Sequence, residues 1–179
     1  MSTRVAERTR GFTREAVEEL SHLLGEPDWL RERRLAAWEI YERTPMPSRT
    51  DEEWRRTDIR RLPINEVLPF ADLRDRVSSP DALPQALFEI LGDAALRSGL
   101  LTQVDGSVVY AQLDPGIAGQ GVIFTDLLTA AREVPELVQQ YFMTEAVTPQ
   151  DNKFAALHGA FWSGGTFLYV PENVEVTLP

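Results

Sequence analysis

The chain has no cysteine, two histidines and one lysine among its 179 residues. Without thiols there is no disulfide, no thiolate nucleophile and no iron–sulfur cluster held by the chain's own cysteines. His22 and His158 cannot build a familiar zinc site unless carboxylates join them. No apolar run approaches the roughly 18 residues that a membrane helix requires. The opening stretch MSTRVAERTRGFTREAVEEL lacks the apolar core of a secretory signal, so the cytoplasm is the expected compartment.

Charge is present in quantity but unevenly placed. The net charge is −10, with 13 residues of each sign in 1–61 but 5 basic and 15 acidic residues in 62–179. The second portion would repel a phosphate backbone, which argues against nucleic-acid binding. Hydrophobic residues make up 43% of the chain, ordinary for a protein with a packed core.

Periodicity gives the organisation. An apolar face recurs through Phe12, Ala16, Leu20 and Leu23/Leu24, predicting a helix over 12–24 that Gly25 stops. Asp28 is the expected cap of a second helix over 29–43, with Leu35, Trp38 and Tyr41 on its apolar side and Pro45 and Pro47 ending it. Residues 48–81 read as extended chain with a short strand at 59–62, and 82–91 as a short helix closed by Gly92. The run LLTQV, then Asp105-Gly106, then SVVYAQL predicts a hairpin with a two-residue turn, because Gly accepts positive φ. A strand over 121–124 should lead into a helix capped by Thr125 or Asp126, and Pro135 suits the first turn of the next. The fold class is therefore α+β, with a first domain over 1–150 and an opening segment of something further over 151–179.

That last segment, KFAALHGAFWSGGTFLYVPENVEVTLP, has helical spacing from Phe154 to Trp162 and a break at Ser163-Gly164-Gly165. Beyond it Thr166 to Val170 is β-rich, and Val174, Val176 and Leu178 alternate with Glu175 and Thr177. A strand with one apolar face needs a surface to bury it. The expectation is that the chain is the front part of a longer protein, with 166–179 lacking their partners.

Candidate chemistry is thin. His158 has no nucleophile elbow near it, and packing or capping in a helix-to-strand junction is the commoner role. Gly164-Gly165 lacks the Gly-Lys-Ser/Thr of a phosphate loop, so a tight turn accounts for it. Asp51-Glu52-Glu53 could ligate a hard cation but reads as a solvated turn. The tryptophans Trp29, Trp38, Trp54 and Trp162 sit in apolar settings, which favours packing over base stacking. No catalytic, cofactor-binding or metal-binding residue is assigned.

Two stretches carry a family likeness. KFAALHGAFWSGGTFLYVPENVEV resembles the entry segment of the SufB/SufD proteins of the SUF iron–sulfur cluster assembly machinery. GEPDWLRERRLAAWEIYERTPMP, followed by EEWRRTDIRRL with Trp54 to Asp58, looks like the N-terminal region of the SufD branch, and VIFTDLLTAARE also fits. The likeness covers roughly residues 25–179. It implies an N-terminal helical or α+β domain, then a right-handed parallel β-helix whose first strands begin at Thr166, then a C-terminal helical domain. It further implies a non-enzymatic scaffold subunit acting with SufB-like and SufC-like partners, the latter an ATPase. The cluster would be handled by the parent complex, with no cofactor in this chain. Readings outside that branch are a SufB-type parent, a free-standing interaction domain, and a metal-dependent hydrolase using His158 with carboxylates.

Overall fold

In the computed structural model, residues 9–88 and 94–179 are described. They fall into two compact units, one made of 1–70 with 139–162 and the other of 71–138 with 163–179.

The first unit is helical. Helix α1 (Arg14–Leu24) begins where the Thr13 hydroxyl accepts the Ala16 N–H at 3.2 Å, and it ends at Gly25 in the left-handed conformation. Its buried stripe is Ala16, Val17, Leu20 and Leu24. Helix α2 (Asp28–Arg43) starts after Pro27, which offers no side-chain cap; Asp28 lies inside the first turn instead of before it. A carboxylate there still faces the positive helix end. The expected apolar side is also rotated. Leu30, Arg34, Ala37, Trp38 and Ile40 are buried, whereas Leu35 and Tyr41 are only half-buried. Helix α7 (Lys153–Phe161) packs on α2 and is opened by Asn152, whose side-chain oxygen accepts from the Phe154 and Ala155 amides at 2.9 Å each. Phe161 meets Phe12 and Trp38 edge-on, with ring centroids 4.9 and 5.9 Å apart.

The chain from 44 to 79 has no regular element. The strand expected at 59–62 is a turn, closed by the Leu62 N–H on the Ile59 carbonyl at 3.1 Å. Pro63 comes directly after it and cannot donate to a ladder. In place of the helix over 82–91 there is a 3₁₀ turn at Pro80–Ala82 and a short helix α3 (Gln85–Phe88), since Pro84 restricts the backbone between them. The rest of that predicted helix, with Gly92, lies outside the described residues.

The second unit contains two small antiparallel sheets. Strands β1 (Gly99–Val104) and β2 (Ser107–Leu113) form the hairpin predicted from Asp105-Gly106, with φ of 50° and 88° at the two turn residues. The register shifts after Thr102, leaving Val109 as the extra residue of a bulge, and its carbonyl accepts from the Val77 amide at 2.8 Å. Val109 and Tyr110 pack with Leu83, and Val77, Leu100 and Val104 close over them. A short helix α4 (Pro115–Ala118) is capped by Asp114.

Strand β3 (Ile123–Asp126) runs two residues later than the sequence suggests and pairs with β4 (Thr166–Tyr169), Ile123 opposite Tyr169 and Asp126 opposite Thr166. This corrects the expectation that 166–179 has no partner within the chain. The β-rich run finds its ladder in β3, while 171–179 forms no regular strand. Asp126 ends β3 and caps helix α5 (Leu127–Glu133), accepting from the Thr129 amide at 2.8 Å and the Thr129 hydroxyl at 2.6 Å, with Arg76 paired on the same carboxylate. Helix α6 (Pro135–Tyr141) comes next, with Pro135 at its first position, and straddles the sequence division between the units.

Two glycines are dictated by close approach. A Cβ on Gly106 would lie 2.6 Å from Ser163 Oγ, and one on Gly164 would overlap the Gly106 carbonyl and the Gln103 amide that donates to it. Gly106→Val therefore combines positive φ with a clash and should cost at least about 1–2 kcal/mol. Gly164→Ala should destabilise by roughly 1–3 kcal/mol through overpacking. Gly165→Ala, whose new methyl would meet only the Leu127 side chain at 3.3 Å, should cost less. Chemical denaturation of the three variants checks the order; equal losses at 164 and 165 would contradict it.

Asp126 sets a pH dependence. Burial pushes its pKa up, but the hydrogen bonds from Thr129 and the charge of Arg76 outweigh this and leave it below the ordinary carboxylate value. A carboxyl depressed on folding contributes stability above its unfolded pKa of about 4, and that contribution is lost as pH falls through the folded value. Asp126→Asn should flatten this acid limb of the stability curve while keeping the cap. An unchanged slope in acid titrations of the variant would refute it.

Candidate functional site

The segment that carries the family likeness leaves the helical unit at the end of α7. The last turn of α7 exposes two backbone carbonyls, Ala160 and Trp162, to the interior of the helical unit, where both need donors. Arg34 supplies them: Nη1 donates to Ala160 O at 2.8 Å and to Trp162 O at 2.9 Å. Its other edge forms a fork on Glu26, Nε to Oε1 at 3.0 Å and Nη2 to Oε2 at 2.8 Å. Both side chains are fully buried, and the guanidinium lies 4.9 Å from the centre of the Trp162 ring. Trp162 in turn meets Phe142 edge-on at 5.0 Å. The planar fork of Arg allows all these bonds at once, which an ammonium could not provide.

Beyond Trp162, Ser163 and Gly164 lie against the β1–β2 turn, and the Gly165 carbonyl accepts from the Leu127 amide at 3.0 Å. The Gly-Gly pair thus lies in an irregular link between α7 and β4, where Gly164 serves close backbone approach in place of the tight turn the sequence suggested. Leu168, Tyr169 and Val170 remain substantially exposed, Leu168 by 60%.

The other sequence candidates are scattered. His158 is exposed on α7 and not packed at a junction. Its ring has no hydrogen bond among the described residues, so the geometry a general base needs is not assembled around it. Asp51 accepts the Ser48 amide at 2.7 Å in a surface turn, and Glu52 pairs with exposed Arg55. Among the described residues no group of three or more His, Asp or Glu side chains converges as a metal site. In the Trp54 to Asp58 motif, Trp54 packs on Phe154 with centroids 5.1 Å apart, and Asp58 is forked by Arg60. That pairing, with the Arg60 amide, drives the Asp58 pKa far below the usual carboxylate range. Trp38 and Trp162 are core residues, in keeping with the packing reading. No helix among the described residues is long and apolar enough to cross a membrane.

The residues that sequence reasoning missed are Arg34, Glu26 and Lys153. Lys153 is almost fully buried, and its ammonium donates to the Tyr41 and Thr44 carbonyls at 2.7 Å each, over the Tyr41 ring. A lone lysine in an otherwise arginine-only chain was the available signal.

Comparison with known proteins agrees with this emphasis. The family model described as the SufBD protein N-terminal region matches residues 90–179. The iron–sulfur cluster assembly protein SufB of Bacillus subtilis is 33% identical over 178 residues, covering 95% of this chain and 37% of that protein. An iron–sulfur cluster assembly SufBD family protein of Staphylococcus haemolyticus is 34% identical with the same coverage. One from Mycobacterium tuberculosis is 35% identical over 183 residues, covering 97% of this chain and 21% of its own length. The chain thus spans little more than a third, or less, of these relatives. With half of its residues matched by the family model, through the Trp-Ser-Gly-Gly turn and the strand beyond it, the chain belongs to the SufBD family.

Proposed function

We propose that the chain is the N-terminal part of a SufD-like scaffold subunit for iron–sulfur cluster assembly, contributing packing and interaction surface and not catalysis. The observation that carries this reading is the family match over 90–179, joined to relatives whose names specify cluster assembly and which are far longer. In the proposed parent, residues 151–179 lead from the 1–150 domain into a right-handed parallel β-helix. The parent works in the cytoplasm with SufB-like and SufC-like subunits, and the cluster is held by the assembly, not by this cysteine-free chain. The exposed apolar side chains of β4 and the segment after it suit such a continuation.

A SufB-type parent is the second reading, favoured by the name of the Bacillus subtilis relative. The Trp54 to Asp58 motif speaks for the SufD branch. Affinity purification of the parent separates them. A SufD-like parent should bring down a distinct SufB-like subunit together with the ATPase; recovery of the ATPase and a SufD-like subunit would favour the other branch. A parent that brings down neither, and fails to restore cluster enzymes in a strain lacking its SUF scaffold subunit, would sink both.

The non-catalytic reading has two direct tests. The purified chain, incubated anaerobically with iron and sulfide and then desalted, should keep no visible cluster absorption, and calorimetry should detect no micromolar ATP binding. Retained absorption or tight nucleotide binding would reverse that reading. His158→Gln in the parent should leave cluster assembly intact; abolished assembly by a normally folded variant would return His158 to a chemical role.

A further inference from the structure

The two units are joined through three places in the sequence, after residues 70, 138 and 162. At two of them, the chain on the helical-unit side is gripped by neighbouring residues of α2. Arg33 donates from Nη1 to Phe142 O at 2.9 Å and from Nη2 to Gln139 O at 3.2 Å, with its guanidinium 5.4 Å from the centre of the Trp29 ring. Arg34 donates to Ala160 O and Trp162 O. Adjacent positions on a helix diverge by about 100°, so one dipeptide can reach two separate segments.

We propose that Arg33 and Arg34 are positioning residues that fix the two segments by which the chain enters and leaves the helical unit, 139–142 and 160–162. The chemistry is specific to this task. Arg33 through both Nη groups and Arg34 through Nη1 donate to carbonyl oxygens near helix ends, where the backbone lacks an intrahelical partner. Arg33 is held over Trp29 and Arg34 by Glu26, so each fork is oriented before it meets its carbonyls. Each donates to one segment, and the segments also meet through the Phe142 and Trp162 rings, so loosening one is felt more weakly in the other. Neither role depends on the assembly function, and both stand or fall separately from it.

Hydrogen exchange of the whole chain tests it. Arg33→Met should accelerate amide exchange in 139–144 by about tenfold, the loss expected for hydrogen bonds from a charged donor, and affect 158–165 clearly less. Arg34→Met alone leaves Glu26 buried and uncompensated and can unfold the unit. The double variant Glu26→Leu/Arg34→Met removes both charges; it should accelerate 158–165 clearly more than 139–144. In each case the β1–β2 hairpin should keep its protection. Acceleration spread evenly over α1, α2 and both segments would show a general loss of stability and overturn the proposal. So would unchanged exchange at the segment each arginine grips.

Discussion

The helical unit depends on one buried cation. Arg34 sits at the centre of the α2 face that meets α7, where an apolar side chain would be the ordinary choice. Burying a guanidinium costs several kcal/mol unless every donor is used and its charge is matched. Here Glu26 matches it, two carbonyls take the remaining edge and the Trp162 ring covers its face. Removing one partner of such a pair typically costs about 3–5 kcal/mol, a large share of a small unit's stability. The last turn of α7, the left-handed end of α1 that precedes Glu26, and the start of α2 are all tied to this group.

A second cation completes the arrangement from the opposite side. Arg34 of α2 satisfies the C-terminal carbonyls of α7, while Lys153 at the start of α7 satisfies those at the end of α2. The helices therefore run antiparallel, and each supplies the positive charge that the other's C-terminus favours. Reciprocal capping also fixes register. Sliding α7 by one turn along α2 would strand both cations away from their carbonyls, whereas apolar contacts alone would tolerate the slip.

The range of each interaction decides whether it was legible in the sequence. The hairpin was legible because Asp105-Gly106 encodes its turn locally. The end of α1 was legible through Gly25, whereas its Thr13 cap and the Asn152 cap of α7, although they act within a few residues, were not read. Arg34 was not, because its partners lie 8, 126 and 128 residues away and its neighbours in sequence are charged too. The same applies to β4. Its composition announced a strand, but its partner β3 is a four-residue run some 40 positions upstream, and nothing local assigns the pairing. Where polar side chains act structurally at long range, pattern reading places the element and misses its anchor. The lack of catalytic candidates has a related cause: the conspicuous residues, His158 and the acidic turn, are simply exposed.

The run from Phe161 to Tyr169 shows how packing alone can make a sequence specific. Phe161 fills the space between Phe12 and Trp38, and Trp162 covers Arg34. Gly164 leaves room for the hairpin turn, where any side chain would strike the Gly106 carbonyl, and Gly165 gives its own carbonyl to the start of α5. Thr166 then opens the ladder with β3. Consecutive residues thus answer to different partners, each met within its own unit. From Phe161 to Thr166 most residues meet a different constraint on size or conformation, so the constraint there is dense. A glycine pair beside a histidine invites a chemical reading, but here the glycines serve backbone approach and the histidine faces solvent. Specificity of this kind follows from packing and backbone approach.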